Sequence, residues 1–195
     1  MKNRTKLSFR KHLGKIELES VYRLFYPQVP VIVCSKSQRQ VSAMPANSCI
    51  TVSSKPAMIA LAVNKKSRTN SIIRASGTFS LNWLNYKVPK LRDYVFTLAN
   101  PSDFSDKGDY DKLSSNGIPY LVENGQPFLI EAEANALCRN VRRVECGDHY
   151  LFLAKVIWGR ASEDFLPISY WQFRRYKPIL YLGSPMASPL TTIRD

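Results

Sequence analysis

Val41-Ser42-Ala43-Met44-Pro45-Ala46-Asn47-Ser48-Cys49 opens the stretch whose reading decides the fold. Ser53-Ser54-Lys55-Pro56 follows, then the apolar run 58–63, then Asn64-Lys65-Lys66-Ser67-Arg68-Thr69-Asn70. The apolar run is hydrophobic on both faces, which predicts a strand placed centrally in a sheet or barrel. Ser67 offers an N-cap for a helix carrying Ile72, Ile73 and Ala75, and Gly77 is its expected left-handed terminator. From 78 to 84 the chain alternates, with Phe79, Leu81 and Trp83 on one face and Ser80 and Asn82 on the other, which predicts a half-buried strand. Loop, strand, basic hydroxyl-rich turn and helix start is an order that suits an anionic cofactor.

Outward from this stretch the chain reads as mainly β. A short helix is predicted over 17–25, ended by Pro27 and Pro30. A strand over 31–34 turns through 35–40 into Val41, and another short strand covers 50–52. A helix over 89–98 leads into a polar, Asp-rich loop over 100–115, with a helical turn near 110–113. Strands follow at 120–123 and 128–134 around Asn124-Gly125, then at 137–144 and 149–158 around Cys146-Gly147-Asp148, and finally at 179–182. Many short strands, few helices and no repeat predict one β-barrel domain over 21–195, preceded by a basic extension over 1–20.

Charge is unevenly placed. The net charge is +13, from 28 Lys+Arg against 15 Asp+Glu. Residues 1–92 carry +15 and residues 93–195 carry −2, and no acid lies between Ser20 and Arg92. Such a field favours anionic partners: nucleic acid, acidic lipid or phosphorylated cofactors. The four cysteines show no Cys-x-x-Cys spacing, which predicts reduced thiols in a cytoplasmic protein. Two histidines make a zinc site improbable. No apolar run approaches the ~20 residues of a membrane helix.

Each local signal has a plain structural reading beside the functional one. Lys65, Lys66 and Arg68, with the hydroxyls of Ser67 and Thr69, could hold a phosphate at a helix start, or form a solvated basic turn. Asn47 could bond the edge of a flat heterocycle, or make an Asx turn between strands. Cys49 reads as a nucleophile or as a small core thiol, and His149 as a catalyst or as a structural residue. Tyr170, Trp171, Phe173 and Tyr176, interleaved with Arg174, Arg175 and Lys177, could stack on single-stranded nucleic acid or pack a helix on the barrel. Neither the Walker nor the dinucleotide glycine pattern occurs.

Taken together, the pieces resemble the flavin reductase-like family, the FMN-binding split-barrel group that includes flavoredoxins and archaeal-type ferric reductases. The carriers are Pro45-Ala46-Asn47-Ser48, Ser53-Ser54-Lys55-Pro56, Asn64-Lys65 leading to Thr69, and Ser76-Gly77-Thr78-Phe79-Ser80-Leu81-Asn82. Gly147-Asp148-His149 with Leu151-Phe152, and Pro178-Ile179-Leu180-Tyr181-Leu182-Gly183, complete them, so the likeness spans 22–182.

The resemblance implies a homodimeric, six-stranded, Greek-key-like split β-barrel with peripheral helices, binding FMN near the subunit interface. It places Met44, Pro45, Ala46, Asn47, Ser48 and Cys49 beside the flavin ring, and Asn64, Lys65, Ser67, Arg68 and Thr69 around the phosphate. Asn82 joins the cofactor set, and His149 falls near the flavin or the nicotinamide. The implied activity is hydride transfer from NADH or NADPH to flavin N5 and electron transfer onward to an acceptor, flavin or ferric. The alternatives are an FMN-bound electron carrier without nicotinamide oxidation, or a basic nucleic-acid-binding β-barrel. Ala57, Lys155 and Ser184-Pro185 depart from the family pattern, which bears on the nicotinamide pocket and the C-terminal contacts more than on the FMN site.

Overall fold

A computed structural model describes residues 30–86, 88–100, 109–162, 179–181 and 190–192. The extension over 1–20, the helix expected over 17–25 and the aromatic segment 170–177 lie outside them, as does the 101–108 half of the Asp-rich loop. The first hairpin joins β1 (Val31–Ser37) to β2 (Gln40–Ala46), and the second joins β3 (Cys49–Ser54) to β4 (Ala57–Asn64). Helix α1 (Arg68–Ser76), β5 (Thr78–Leu84) and helix α2 (Pro89–Ala99) follow, then β6 (Tyr110–Asp111), β7 (Tyr120–Glu123) and β8 (Gln126–Leu129). The long hairpin of β9 (Ala132–Cys146) and β10 (His149–Ala161) comes next, and β11 (Ile179–Tyr181) pairs with β12 (Leu190–Thr192).

Eight strands form one sheet in the order β3-β4-β10-β9-β5-β1-β2-β6. Only the two-residue β6 runs parallel to its neighbour. The chain is therefore mainly β, with two α-helices among the described residues. The sheet has the mainly β, split character expected, with eight strands in place of six, and no ladder joins β3 to β6 among the described residues. One edge strand carries the exposed Ile50 and Val52 and the other is too short to support a ladder, so the curved sheet stays split.

Two apolar layers cover the sheet. Helix α2 packs Leu91, Val95 and Leu98 against Ile32, Cys34, Val41 and Ala43, while Ile73 of α1 packs with Val33, Leu61, Phe79 and Phe152. Successive residues of β1 thus enter opposite layers, which is why 31–34 reads as an unbroken apolar run. The α1 boundaries follow the predicted signals: Ser67 is the N-cap, and Gly77 takes φ +71° while its N–H bonds Ile73 O at 2.8 Å. Asn124 and Gly125 both take positive φ in the β7–β8 turn, as a tight hairpin requires.

Three local expectations are corrected. Residues 110–113 begin with a strand rather than a helical turn, and a 3-10 turn comes later, at Ser114–Asn116. The single strand expected over 128–134 is broken by a turn at Ile130-Glu131 into β8 and β9. Strand β5 is buried on both faces, because β8 roofs the side that carries Ser80 and Asn82. Asn82 has no exposed surface. Its amide donates to Ile32 O and Ser80 Oγ, both at 3.1 Å, and its Oδ1 accepts Leu129 N at 3.0 Å and Asn135 Nδ2 at 2.9 Å. Alternation marks a face as polar, but it does not say whether water or other polar groups satisfy it.

Asn82 is therefore the hub of an interior network joining β1, β5, β8 and β9. Asn82→Ala leaves several buried partners unpaired and should cost about 3 kcal/mol in urea unfolding. A loss under about 0.5 kcal/mol would show that the network is not structural.

Candidate functional site

The ladder between β4 and β10 sets His149 opposite Asn64. The adjoining β9–β10 turn is tied to the basic turn, since Lys65 N donates to Asp148 O at 2.9 Å. On the other side, Ala62 N donates to Ser48 O at 3.2 Å and the Ser48 hydroxyl donates to Ala62 O at 2.7 Å. Asn47 thus leaves the sheet near the end of β4. The Ser67 hydroxyl reaches Met44 Sδ at 3.8 Å, and the Thr69 and Ser42 hydroxyls lie 2.9 Å apart. Folding consequently brings the 44–49 stretch, the 64–69 turn and His149 together at one end of the sheet.

The turn is shaped by its own amides. Asn64 Oδ1 accepts Lys66 N at 2.9 Å, Asn64 O accepts Ser67 N at 3.0 Å, and Asn70 Nδ2 donates to Lys65 O at 2.9 Å. Ser67 has an extended N-cap backbone, yet its side chain makes no cap hydrogen bond and the first turn holds no acid. The N–H groups of Arg68 and Thr69 have no carbonyl within the helix to bond, so the positive end of α1 is set up for an anion.

The expected cations are deployed unequally. Lys65 Nζ is ion-paired with Glu145 and lies 5.3 Å from the Tyr150 ring centroid. That lysine holds the Glu145 carboxyl below its usual range. Lys66 is exposed, whereas Arg68 is only 6% exposed and its guanidinium stands 4.0 Å from the Tyr110 ring centroid. The Thr69 hydroxyl, expected to face a ligand, is buried against Ser42; a hydroxyl pair still keeps one O–H to donate elsewhere.

The ring-side loop holds the sharpest polar anomaly. Asn47 is 9% exposed, and both Oδ1 and Nδ2 are buried without a hydrogen-bond partner. No Asx turn consumes them. An amide so placed can donate and accept at once, which matches the edge of a heterocycle carrying adjacent N–H and C=O groups. Asn70, absent from the predicted set, likewise keeps a buried Oδ1 without a partner. Its place in the basic turn was the available signal.

Cys49 is half-buried, and burial pushes its thiol up to about 11, so it is a neutral packing group rather than a thiolate nucleophile. His149 keeps its side chain 40% exposed, with Nδ1 2.7 Å from Asp148 Oδ1. The histidine in turn holds the Asp148 carboxyl below its ordinary range, and the carboxylate fixes the ring's orientation. Asn82 bonds within the interior network, to Ile32, Ser80, Leu129 and Asn135. Among the described residues no cluster of His, Cys, Asp and Glu could hold a metal ion.

An unpaired buried amide costs stability. Asn47→Leu, close to isosteric, should leave the ligand-free chain as stable as the parent or about 1–2 kcal/mol more stable in thermal unfolding. A loss beyond about 1 kcal/mol would show that Asn47 has a structural bonding role.

The family model for the flavin reductase like domain matches residues 22–180. The chain is 26% identical over 164 residues to the ferric-chelate reductase (NAD(P)H) of Archaeoglobus fulgidus, covering 83% of this chain and 91% of that protein. It is 29% identical over 173 residues to an uncharacterized protein of Aeropyrum pernix, covering 88% of this chain but only 63% of that protein's length. The flavoredoxin of Methanosarcina acetivorans has the same fold: TM-score 0.69 at 21% identity, covering 95% of this chain and 93% of that one. With the matched region running from before β1 to β11, the chain belongs to the flavin reductase-like family.

Proposed function

We propose that the chain is an FMN-binding oxidoreductase of the NAD(P)H:flavin type, passing electrons on to a flavin or ferric acceptor. The observation that carries this reading is the unpaired amide of Asn47 standing in the same constellation as an uncapped, acid-free helix start. One offers a donor and an acceptor to a heterocycle edge, the other an anion site. Met44, Pro45, Ala46, Asn47, Ser48 and Cys49 would border the ring, and Asn64, Lys65, Ser67, Arg68 and Thr69 would surround the phosphate. Bound FMN would supply the hydride-accepting and electron-passing chemistry, while the chain supplies position and electrostatics. His149, opposite Asn64 and oriented by Asp148, would face the flavin or the nicotinamide of NADH or NADPH. No residue is needed as a catalytic base.

A homodimer belongs to the same proposal. Ile50, Ala60 and Leu153 stand abreast across β3, β4 and β10, and Ile50 is 53% exposed. The exposed Ile50 and Val52 of the edge strand β3 suit a second copy of the chain. The four thiols are free, which fits a cytoplasmic setting. An electron carrier of the flavoredoxin kind remains the second reading, because the same flavin cradle would serve it.

Anaerobic mixing with NADH or NADPH separates the two: catalytic bleaching of the visible flavin band is expected, and a persistent yellow colour would favour the carrier. Tight oligonucleotide binding by a colourless protein that takes up no FMN would overturn both. Lys65→Ala with Arg68→Ala should weaken FMN binding roughly tenfold or more at low salt and flatten its salt dependence. Unchanged affinity in that double variant would remove the phosphate assignment.

A further inference from the structure

Arg68 is the first residue of α1, and its charge is almost wholly withdrawn from water. A guanidinium in that setting needs compensation, and the face of Tyr110 at 4.0 Å provides part of it. Stacking engages the flat face of the guanidinium, whereas its N–H donors point outward in the plane. The ring thus sets the orientation of the donor fork without competing for it.

Tyr110 is itself held with unusual care for a strand of two residues. Its strand pairs in parallel with Gln40 and Val41 of β2. The next residue, Asp111, accepts from Leu113 N at 3.0 Å, Ser114 N at 2.9 Å, Ser114 Oγ at 2.7 Å and Tyr120 OH. Lys112 is 7% exposed; its backbone N bonds Val41 O at 3.0 Å, and its ammonium bonds Leu98 O at 2.8 Å and Asn100 O at 2.9 Å at the end of α2. Three consecutive residues are anchored to β2, to α2 and to the turn that follows. Strand β2 also carries Ser42, which meets the hydroxyl of Thr69. Arg68 and Thr69 are therefore both braced from the β2–β6 side.

We propose that Tyr110 is a positioning residue of the nucleotide site: its ring, fixed by β6 and the Lys112 anchor, holds the Arg68 guanidinium in the orientation that receives the phosphate of a flavin mononucleotide. The proposal rests on the assignment of Arg68 to the phosphate made above. A cation already held in its binding rotamer loses little conformational freedom when the ligand arrives, so the bracing favours the phosphorylated flavin over the same flavin without phosphate.

Riboflavin, which lacks the phosphate, is the control ligand. Dissociation constants for FMN and riboflavin are measured by flavin fluorescence on the full chain, its Arg68→Ala variant, Tyr110→Leu and Tyr110→Phe. Arg68→Ala should collapse the preference for FMN. Tyr110→Leu should reduce FMN affinity roughly threefold to tenfold with riboflavin affinity unchanged, and Tyr110→Phe should restore it, since the ring and not the hydroxyl stacks. Tyr110→Gln serves in place of Tyr110→Leu if the latter does not fold. An Arg68→Ala variant that keeps the preference overturns the phosphate assignment and this proposal with it. A collapsed preference in Arg68→Ala but a normal one in Tyr110→Leu overturns the positioning role alone. Equal weakening of FMN and riboflavin shows that Tyr110 is merely structural, and binding of neither flavin by the parent chain overturns both readings.

Discussion

The antiparallel ladder between β4 and β10 is the constraint on which the site depends. It runs from Lys155 opposite Met58 to His149 opposite Asn64, and a slip of one residue would put Met58, Ala60 and Ala62 where Ile59, Leu61 and Val63 now fill the inner layer, leaving it underpacked. Ile59, Leu61 and Val63 are all buried on the inner face, so that slip is strongly opposed. With the register held, the end of β4, the start of α1 and the β9–β10 turn must meet. The hydrogen bond from Lys65 N to Asp148 O is a consequence of that meeting.

Buried side-chain amides divide into paired and unpaired ones in this molecule, and of the unpaired ones among the described residues Asn47 and Asn70 fall in the candidate site while Asn140 lies in β9. Asn82 and Asn135 bond each other and the neighbouring strands, as interior amides ordinarily must. Asn47, with both amide atoms unpaired, and Asn70, with its oxygen unpaired, break that rule within the stretch that also carries the basic turn. A ligand with complementary donors and acceptors would remove the penalty on binding. Residues that weaken the fold at rest are characteristic of places where something else is meant to bind.

The lopsided charge acquires a different meaning once the chain is folded. Acids from the second half return to cations of the first: Glu145 to Lys65, Glu131 to Lys90, Asp109 to Arg39. These pairs are largely exposed, so each adds little stability. They do choose which cations stay committed. Lys65 is drawn toward Glu145 and Tyr150, while Arg68 turns inward onto Tyr110, a residue that no pattern in the basic turn could announce.

By itself the sequence determined the elements whose causes are local. Gly77 ends α1 because a left-handed residue is needed there, Asn124-Gly125 makes a tight hairpin, and the both-faces-apolar run of β4 places that strand inside the sheet. The composite order of motifs was also enough to point to the family. Only the tertiary structure decided what depends on residues distant in the chain: that β8 roofs Ser80 and Asn82, that a turn at Ile130-Glu131 splits the strand expected over 128–134 into two, that no ladder joins β3 to β6 among the described residues, and that Arg68 stacks on Tyr110. Propensity and periodicity act over a few residues, whereas the pairing of a polar group or the burial of a charge is settled by whatever the fold brings opposite it.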